Sequence, residues 1–513
     1  MNQLARTIHP DNGTKFDKAT CEYFLYCLEK MILYGDQNLI QQIDHRLKVD
    51  STMSQISEYS ETILYFMFCI IRGRISELKE YFRIISLSLK VIVCLGRNNH
   101  LSKSDNRIAK LIAKYIYLLV DRGIISSIIQ YESSTGTYDN TVTFMHIMSQ
   151  LVSKRIFNED QLLLMSGYLC SNIFVVHDFW KYERLAQRWS LAFNCLQIFN
   201  TIAEQTFWNT HGCSEKQPGI QLMQAFLRDG NLYRLLFMFV GLGSTLLEKS
   251  LRAMKTEEAG VLASLIFESL QFLKNVLKYR KGSISQAMDK STPLETLLFS
   301  QLVGKSQTPL IATIFQYMDS TYATGIRITS CQIIRLIAQL TEHYSPRPPS
   351  IVSYLGSQAN SLVEKCLDCI RRPGEDSTLQ PLQIAMFKLI TTSLQIQKGL
   401  GSLFLKERNA ECIDTILSII YEHHHNHEIL LKALSVILVV FQNGEDQDAI
   451  TKLNNAEFWK KLKSLSHQFM RGATDNVHSM KILSYILNIF AIDLHQVRIF
   501  ELSNMKTLEP HLF

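Results

Sequence analysis

The sequence predicts an all-α fold, an irregular α-solenoid of stacked antiparallel helix pairs of the HEAT or armadillo-like kind. Glycine and proline are scarce, with 22 and 10 copies in 513 residues, about half of their usual share. A β-sandwich or barrel needs a turn every ~8–12 residues, so this scarcity argues against one. The 47% hydrophobic content excludes a disordered or collagen-like chain, which lacks the apolar residues for a core.

The length of the chain favours an elongated array. A single compact core stops growing near ~250–300 residues, and this chain has 513, so it forms several domains or a repeat stack. The breaks between helical segments are short and polar, unlike interdomain linkers. We therefore predict one continuous α-solenoid over residues 1–513, with soft boundaries near residues 132–140, 209–219 and 281–293.

Helical periodicity and end signals recur along the chain. Apolar residues between Ile108 and Leu119 recur at three- and four-residue spacing, and Gly123 stands where a left-handed cap ends such a helix. Thr292-Pro293-Leu294-Glu295 carries the signals of a helix start, with a capping Thr, a first-turn Pro and a Glu that reaches back. Residues 429–441 and 482–492 are apolar nearly all round, which predicts helices sandwiched between neighbours.

Charge, cysteine usage and hydropathy point to a soluble intracellular protein. The formal net charge is +6, without the basic block that tracks nucleic acid. The 11 cysteines are odd in number and scattered through apolar segments, as buried thiols in a reducing compartment are. No secretory signal is recognisable in Met1–Lys18. The least charged stretches, 162–176 and 235–247, fall short of the ~20 apolar residues of a spanning helix, so we predict no transmembrane segment.

Two short motifs resemble reactive or nucleotide sites, but both are better explained by packing. Cys366-Leu367-Asp368-Cys369 is a CxxC pair, yet both sulfurs fall on one apolar helical stripe with Leu362, and no second ligand pair accompanies them. The Gly-x-Gly pairs at Gly241-Leu242-Gly243 and Gly399-Leu400-Gly401 lack the preceding strand and the third glycine of a nucleotide fingerprint. We predict buried core residues in the first case and no nucleotide site in the second.

Three further groups of residues each allow both a functional and a structural interpretation. His423, His424, His425 and His427 include the i, i+4 pair that a helix uses for metal, but a solvated helix end is the plainer interpretation. The PxxP segment Pro346–Pro349 suits an SH3 ligand, although a turn between two helices explains it better. Phe237, Phe239, Phe458 and Trp459 lie in helical runs without the regular Lys/Arg interleaving of a nucleic-acid surface, which favours core packing over base stacking.

The second half of the chain resembles a known family in the order and spacing of its helices. The run Gln397-Lys398-Gly399-Leu400-Gly401-Ser402-Leu403-Phe404-Leu405 is similar to a Gln-x-Gly-Leu-x-x-Leu-Phe-Leu run, and Phe458-Trp459-Lys460-Lys461-Leu462 is similar to a Phe-Trp-x-x-Leu element. Both belong to the large inner-ring scaffold nucleoporins of the ~188-kDa type. The resemblance covers residues 292–502 best and is closest over Tyr354–Leu462.

The resemblance implies a non-enzymatic structural component of the nuclear pore complex inner ring, located at the nuclear envelope. Its partners would be other nucleoporins, including adaptor and linker nucleoporins, with no small-molecule substrate and no direct nucleic acid. The family is several times longer and carries an SH3-like insertion and a C-terminal superhelical tail that we do not recognise here. The chain therefore resembles a fragment or a partial product.

The sequence contains no recognisable Ser/His/Asp or Cys/His set and no paired carboxylates. We accordingly predict no enzyme, no catalytic, cofactor-binding or metal residue and no cofactor. Two alternatives to the scaffold stay open: a soluble HEAT-type nuclear transport receptor or other helical-repeat adaptor, and a metal-binding protein that uses the His423–His427 cluster. Transport receptors are usually strongly acidic, which the net charge of +6 does not match.

Overall fold

The structure is a computed structural model, and every regular element in its described part is helical. It describes residues 64, 67–68, 71–72 and 78–508, with gaps at 98–106, 208–216, 254–255, 284–290, 301–308, 345–347, 369, 371–378, 407–410, 423–425, 445–446 and 472–476. Over these residues no strand occurs and neighbouring helices pack in pairs. The predicted all-α solenoid is confirmed.

The chain divides into two compact units. The first comprises Met1–Ala225 with Glu257–Glu268, and the second comprises Phe226–Thr256 with Ser269–Phe513. The prediction of one continuous solenoid, with soft boundaries near residues 132–140, 209–219 and 281–293, stays a prediction.

The first unit is built around helix α4. Its helices are α1 (Leu78–Arg97), α2 (Arg107–Asp121), α3 (Ile124–Thr135), α4 (Asp139–Ser153), α5 (Glu159–Leu169) and α6 (Leu185–Phe207). Helix α4 packs against both α1 and α6, and its Phe144, Met145 and Met148 are buried. As predicted, Gly123 is left-handed, with φ of 70°, between α2 and α3.

Two helices contribute residues to both units, and the remaining helices belong to the second. The shared helices are α7 (Pro218–Arg228) and α10 (Thr256–Ser283). The others are α8 (Gly230–Gly241), α9 (Glu248–Arg252), α11 (Pro293–Leu298), α12 (Leu310–Gln316), α13 (Thr324–Thr341), α14 (Ile351–Leu355), α15 (Ala359–Leu367), α16 (Gln380–Ile396), α17 (Lys398–Leu405), α18 (Glu411–Tyr421), α19 (His427–Asn443), α20 (Gln447–Leu453), α21 (Ala456–Arg471) and α22 (Val477–Leu508).

A ladder of four helices organises the second unit. Helix α13 packs on α16, α16 packs on α19, and α19 packs on α22. We call α13, α16, α19 and α22 the ladder. The inner helix α19 is buried from Ile429 to Phe441 except at Lys432, because it has neighbours on both sides. The sandwiched helix predicted for residues 429–441 is confirmed.

The same prediction is wrong for residues 482–492. These residues form part of α22, which packs against α19 and α21 through one face containing Ile482, Ile486 and Ile489. Leu487, on the other side, is 51% exposed. The apolar residues all round this helix therefore do not reflect burial on both sides.

Three described helical stretches are long and apolar enough to cross a membrane by length and composition: Glu159–Phe179, Thr256–Ser283 and Val477–His495. Polar or charged residues interrupt each apolar run, such as Ser166 in the first stretch, Glu268 in the second and Lys481 in the third, so a search for uninterrupted apolar runs missed them. The share of each apolar segment that is buried inside the protein is highest in Thr256–Ser283, at 56%, and lowest in Val477–His495, at 22%. The prediction of no transmembrane segment stays a prediction.

Candidate functional site

The run Gln397–Leu405, which carries the family resemblance, is a packing element with contacts among α13, α14, α16 and α17. Gln397 lies between α16 and α17. Its Nε2 donates to Thr341 Oγ1 of α13 at 2.8 Å, and its Oε1 accepts from the Ile351 amide of α14 at 3.2 Å. Both polar ends of one side chain are thus used to fix the spacing of neighbouring helices.

The second glycine of that run is required by close packing. A Cβ on Gly401 would lie 2.8 Å from the Leu394 Cα and 3.0 Å from its amide nitrogen, both backbone atoms of α16. The first glycine, Gly399, would meet its neighbours only at 3.7 Å. Gly401 therefore permits α17 to approach α16 closely, as glycine does where backbones meet.

Gly243 has an equivalent role in the other glycine pair. Tyr317 lies against it: the Tyr317 hydroxyl accepts from the Gly243 amide at 2.9 Å and donates to the Val240 carbonyl. A Cβ on Gly243 would lie 2.2 Å from that hydroxyl. Burial raises the pKa of Tyr317 above its ordinary value, so the hydroxyl stays protonated. A buried tyrosine therefore occupies the space at Gly243. The absence of a nucleotide site at the two glycine pairs stays a prediction.

A buried ionic cluster ties α10 to α11, and only its capping box is predictable from the local sequence. The predicted capping box is present: Thr292 Oγ1 accepts from the Glu295 amide, and Glu295 Oε2 accepts from the Thr292 amide at 2.6 Å. The Arg280 Nε donates to Glu295 Oε1 at 3.0 Å, and the Tyr344 hydroxyl donates to the same oxygen. Arg280 is 1% exposed and Glu295 is 0% exposed.

This cluster is structural in character. Burial, followed by the hydrogen bond to Glu295, raises the pKa of Tyr344. Tyr344 therefore remains a donor, and the buried Glu295 carboxylate meets the Arg280 guanidinium and the hydroxyls of Tyr344 and Thr292. A buried, fully occupied carboxylate has no access to a substrate. The spacing of the capping box revealed Glu295, whereas nothing in the local pattern pointed to Arg280.

Glu132 is a second buried carboxyl that sequence reasoning missed. It lies near the end of α3 and caps the start of α4, accepting from the Asn140 amide at 2.7 Å and from the Thr141 amide at 3.0 Å. The Thr141 hydroxyl adds a third hydrogen bond. Burial raises the pKa of Glu132 to about 7, although these hydrogen bonds oppose the shift. The eight-residue separation from Asn140 hid this cap, because the usual capping signal spans three residues.

The cysteines described with side chains are mostly packing residues. Cys366 of the CxxC pair is buried beside Leu362 in α15, while Cys369 lies outside the described residues. Cys170, Cys195, Cys331 and Cys412 are also buried. Burial raises the pKa of Cys195 well above its usual range. Buried, protonated thiols are poor nucleophiles and poor metal ligands.

The histidine cluster is described only at one end. His423, His424 and His425 lie outside the described residues, and His427 begins α19 with its ring centroid 5.2 Å from that of Phe469. Within the described part of the chain, no group of three or more His, Cys, Asp or Glu side chains is placed to hold a metal ion. The prediction of a solvated helix end stays a prediction.

The proline segment and the aromatic residues occupy structural positions. Pro346 and Arg347 lie outside the described residues, and Pro348 and Pro349 fall between the end of α13 and the start of α14. The four aromatic residues singled out from the sequence belong to helices and pack inwards. Phe237, Phe239 and Phe458 are buried, and the Trp459 ring lies 5.8 Å from both Phe441 and Phe490. Core packing is confirmed for the three phenylalanines, whereas Trp459 is half-buried and its Nε1 donates to Asn454 Oδ1 at 3.3 Å.

Comparisons with known proteins place these features in a family. Residues 83–408 match the family described as Nucleoporin Nup188, N-terminal subdomain III. The nucleoporin Nup188 of Drosophila melanogaster is 20% identical over 338 residues, which is 60% of this chain and 17% of that protein. The family match overlaps the expected region 292–502 from residue 292 to 408 and begins about 200 residues earlier, where the sequence showed only a generic helical pattern.

Proposed function

Because the chain belongs to the Nup188 nucleoporin family, we propose that it is a structural scaffold module of the nuclear pore complex inner ring. In this role it holds other nucleoporins at fixed spacing and supports nucleocytoplasmic transport without catalysing a reaction. Its location follows from the family: nucleoporins reside in the nuclear pore complex at the nuclear envelope. The chain spans about a sixth of the length of the fly relative. The scaffold role and the partners are therefore proposed for this chain and are not transferred from the whole relative.

The observation that carries the proposal is the use of distinctive residues in helix-to-helix contacts. Gln397 bridges α13 and α14, Gly401 admits α17 against α16, and Glu295 ties α10 to α11. In an enzyme, some polar residues of this kind would face a cleft and remain available to a substrate. Here they fix the relative positions of helices, which is the property that a spacer requires.

The ladder supplies the second support. In stacked helical arrays, each element contacts its neighbours, and the stack is extended by adding similar elements. The series from α13 to α22 follows this rule within the second unit. We extend it to the whole chain and propose one continuous solenoid over residues 1–513, with partners bound along its surface as helices or extended segments.

Proximity labelling tests the proposal in cells. A biotin ligase fused to the chain is expected to label other nucleoporins, inner-ring components above all, more strongly than the same ligase carrying only a nuclear import signal. Labelling of nucleoporins no greater than with that control would contradict the scaffold role. Strong labelling of transport cargo and of the small GTPase Ran throughout the nucleus and cytoplasm would favour the transport-receptor alternative.

A further inference from the structure

A row of cations crosses the ladder, with one cation from each of its four helices. Arg335 lies in α13, Lys388 in α16, Lys432 in α19 and Lys481 in α22. We call these four residues the cationic row. The two middle helices of the ladder, α16 and α19, each have a described helix on either side, so the row is not confined to an edge of the ladder.

The two middle cations are the openings in otherwise buried stretches of helix. Lys388 is the only residue of 382–390 that is not buried, and Lys432 is the only one of 429–441. Both lysines are half-buried. Partial removal of a charge from water costs free energy unless an opposite charge compensates it, so a lysine at each of these positions requires an explanation.

The members of the row repel one another. Burial lowers the pKa of Lys432, and repulsion from Lys388, Lys481 and Arg335 lowers it further, against the opposing effect of Glu428. Glu428 is the single acidic residue in the described helices α13, α16 and α19. The row is therefore a set of like charges with little opposing charge beside it.

No acid in the described part of the chain forms an ion pair with a member of the row. The Arg335 Nε is buried without a hydrogen-bond partner, and such a donor costs free energy until a ligand satisfies it. Lys281 of α10 adds charge at this end of the row. It donates to Gln339 Oε1 at 2.8 Å, and burial, followed by repulsion from Arg335, lowers its pKa.

The surroundings of the row suit a polypeptide better than a nucleic acid or a bilayer. In the described helices α13, α16 and α19, no Phe, Tyr or Trp side chain is exposed to stack on a base. The same helices contain none of the large exposed apolar side chains that would enter a membrane. Gln332 and Gln395 share helix faces with Arg335 and Lys388, and their amides suit the hydrogen-bonding groups of a peptide backbone.

The spacing of the ladder matches a chain in the polyproline II conformation. Packed helices lie about 8–10 Å apart, and the cations recur once per helix. A polyproline II segment has three residues per turn and rises ~3.1 Å per residue, or about 9 Å per turn. Every third side chain then points the same way and advances by one helix of the ladder.

From this charge and spacing, we infer that the cationic row binds an extended acidic segment of a partner protein, with a carboxylate at about every third residue. Each carboxylate lies beside one cation, removes repulsion along the row and gives the Arg335 guanidinium an acceptor. The inference rests on the proposed scaffold role, because a scaffold holds segments of other proteins on its surface. Binding should weaken as salt rises, since exposed charges are screened.

Fluorescence anisotropy with the full chain tests the inference. The probe is a dye-labelled peptide of four Glu-Pro-Ser repeats, in which proline favours polyproline II and Glu recurs at every third residue. A peptide of four Gln-Pro-Ser repeats is the uncharged control. At about 50 mM salt the acidic peptide should bind about ten-fold more tightly than the control, and this preference should shrink at about 300 mM.

Two double variants of equal charge locate the binding site. Lys388→Gln with Lys432→Gln removes the two middle cations and should weaken binding of the acidic peptide about ten-fold. Lys249→Gln with Lys460→Gln is the matched control: it removes two exposed cations outside the row, in α9 and α21, and should bind as the wild type does. The Lys388, Lys432 variant should unfold at the same temperature as the wild type or higher, since repulsion falls.

Equal binding of the two peptides, or equal weakening in the two double variants, would overturn the inference. A lower unfolding midpoint in the Lys388, Lys432 variant would do so by making the lysines structural. Tighter binding of a five-nucleotide oligo(dT), which matches the four charges of the peptide, would replace the peptide by nucleic acid. Flotation with vesicles of about 30% phosphatidylserine that depends on the two lysines would replace it by a membrane.

The scaffold role has a separate readout. Failure of peptide binding leaves the nuclear rim of the tagged chain unchanged, whereas failure of the scaffold role removes the rim whatever the peptide binds. The two outcomes are therefore distinguishable.

Discussion

Single residues in this protein are selected by what lies a few ångströms away in another helix. Gly243 leaves no room for a Cβ beside Tyr317, and Gly401 leaves none beside the Leu394 backbone. Gly260, in the exposed first part of α10, would meet nothing within 4 Å. The same residue type thus has a packing function at two positions and none at the third, which provides a direct comparison.

Gly243→Ala should destabilise the fold by about 3 kcal/mol, because the added methyl group must displace the buried Tyr317 and its two hydrogen bonds. Gly260→Ala is the matched change at an open helical position and should stabilise α10 by about 0.5–1 kcal/mol. Thermal unfolding of the two variants measures both effects. Equal midpoints for the two variants would contradict the packing role of Gly243.

Glu132 should make the first unit less stable as the pH rises. Its pKa is raised from 4.5 to about 7 in the folded chain, so between these values the folded state holds a proton that the unfolded state has released. The stabilising contribution is therefore complete below about pH 4.5 and is lost as pH rises towards 7. Hydrogen exchange at the Asn140 and Thr141 amides should be faster at pH 7.5 than at pH 5.5 after correction for intrinsic rates.

The Glu132→Gln variant is the control for this pH effect. Glutamine keeps the size and one acceptor oxygen but does not titrate, so the corrected exchange of the same amides should lose its pH dependence. Other groups, such as His177 with its pKa lowered to about 4 by burial, remain the same in both proteins. An unchanged pH dependence in the variant would assign the effect to another group.

At the scale of elements, buried polar side chains hold neighbouring helices in register. Arg280→Met should cost about 3–5 kcal/mol because it leaves the Glu295 carboxylate buried without its cationic partner, beside only the Tyr344 and Thr292 hydroxyls and the Thr292 amide. The double variant Arg280→Met, Glu295→Gln should recover part of that loss, since no uncompensated charge remains. Denaturant unfolding of the single and double variants measures the coupling. Strict additivity would show that the two residues act independently.

Gln397 offers a second test at this scale. Gln397→Ala removes hydrogen bonds to Thr341 and to the Ile351 amide, and each net bond contributes about 1 kcal/mol, so a loss of about 1–2 kcal/mol is expected. Gln395, two residues earlier in α16, is exposed, and Gln395→Ala should change stability by less than about 0.5 kcal/mol. Thermal unfolding of both variants tests whether the two hydrogen bonds of Gln397 stabilise the packing of α17 and its neighbours.

The helices themselves were predictable, whereas the contacts between them were not. Gly123 is left-handed at the start of α3, and the capping box at Thr292 starts α11, both as expected. Periodicity and capping act within one or two turns and are therefore visible in the sequence. Arg280 and Tyr344 meet Glu295 from 15 and 49 residues away, and no local pattern encodes such distances.

At the scale of the whole molecule, the sequence predicted the helical class and the family but not the range of the match. The recognisable runs near Gln397 and Phe458 lie in the second half, while the family match extends back to residue 83. In a helical scaffold, similarity is spread over buried positions that tolerate exchange among apolar residues. Residues 482–492 of α22 were wrongly predicted to be sandwiched because apolar composition does not show which side of a helix is buried: Ile486 is buried, whereas Leu487 is 51% exposed.

The central claim, that the chain is a scaffold of the nuclear pore, is tested most directly by photobleaching. The fluorescently tagged chain, expressed at its native level, should form a nuclear rim that does not recover within several minutes after bleaching, because a scaffold is held by many contacts at once. A diffuse signal, or a rim that recovers within seconds as a shuttling receptor would, would contradict the claim.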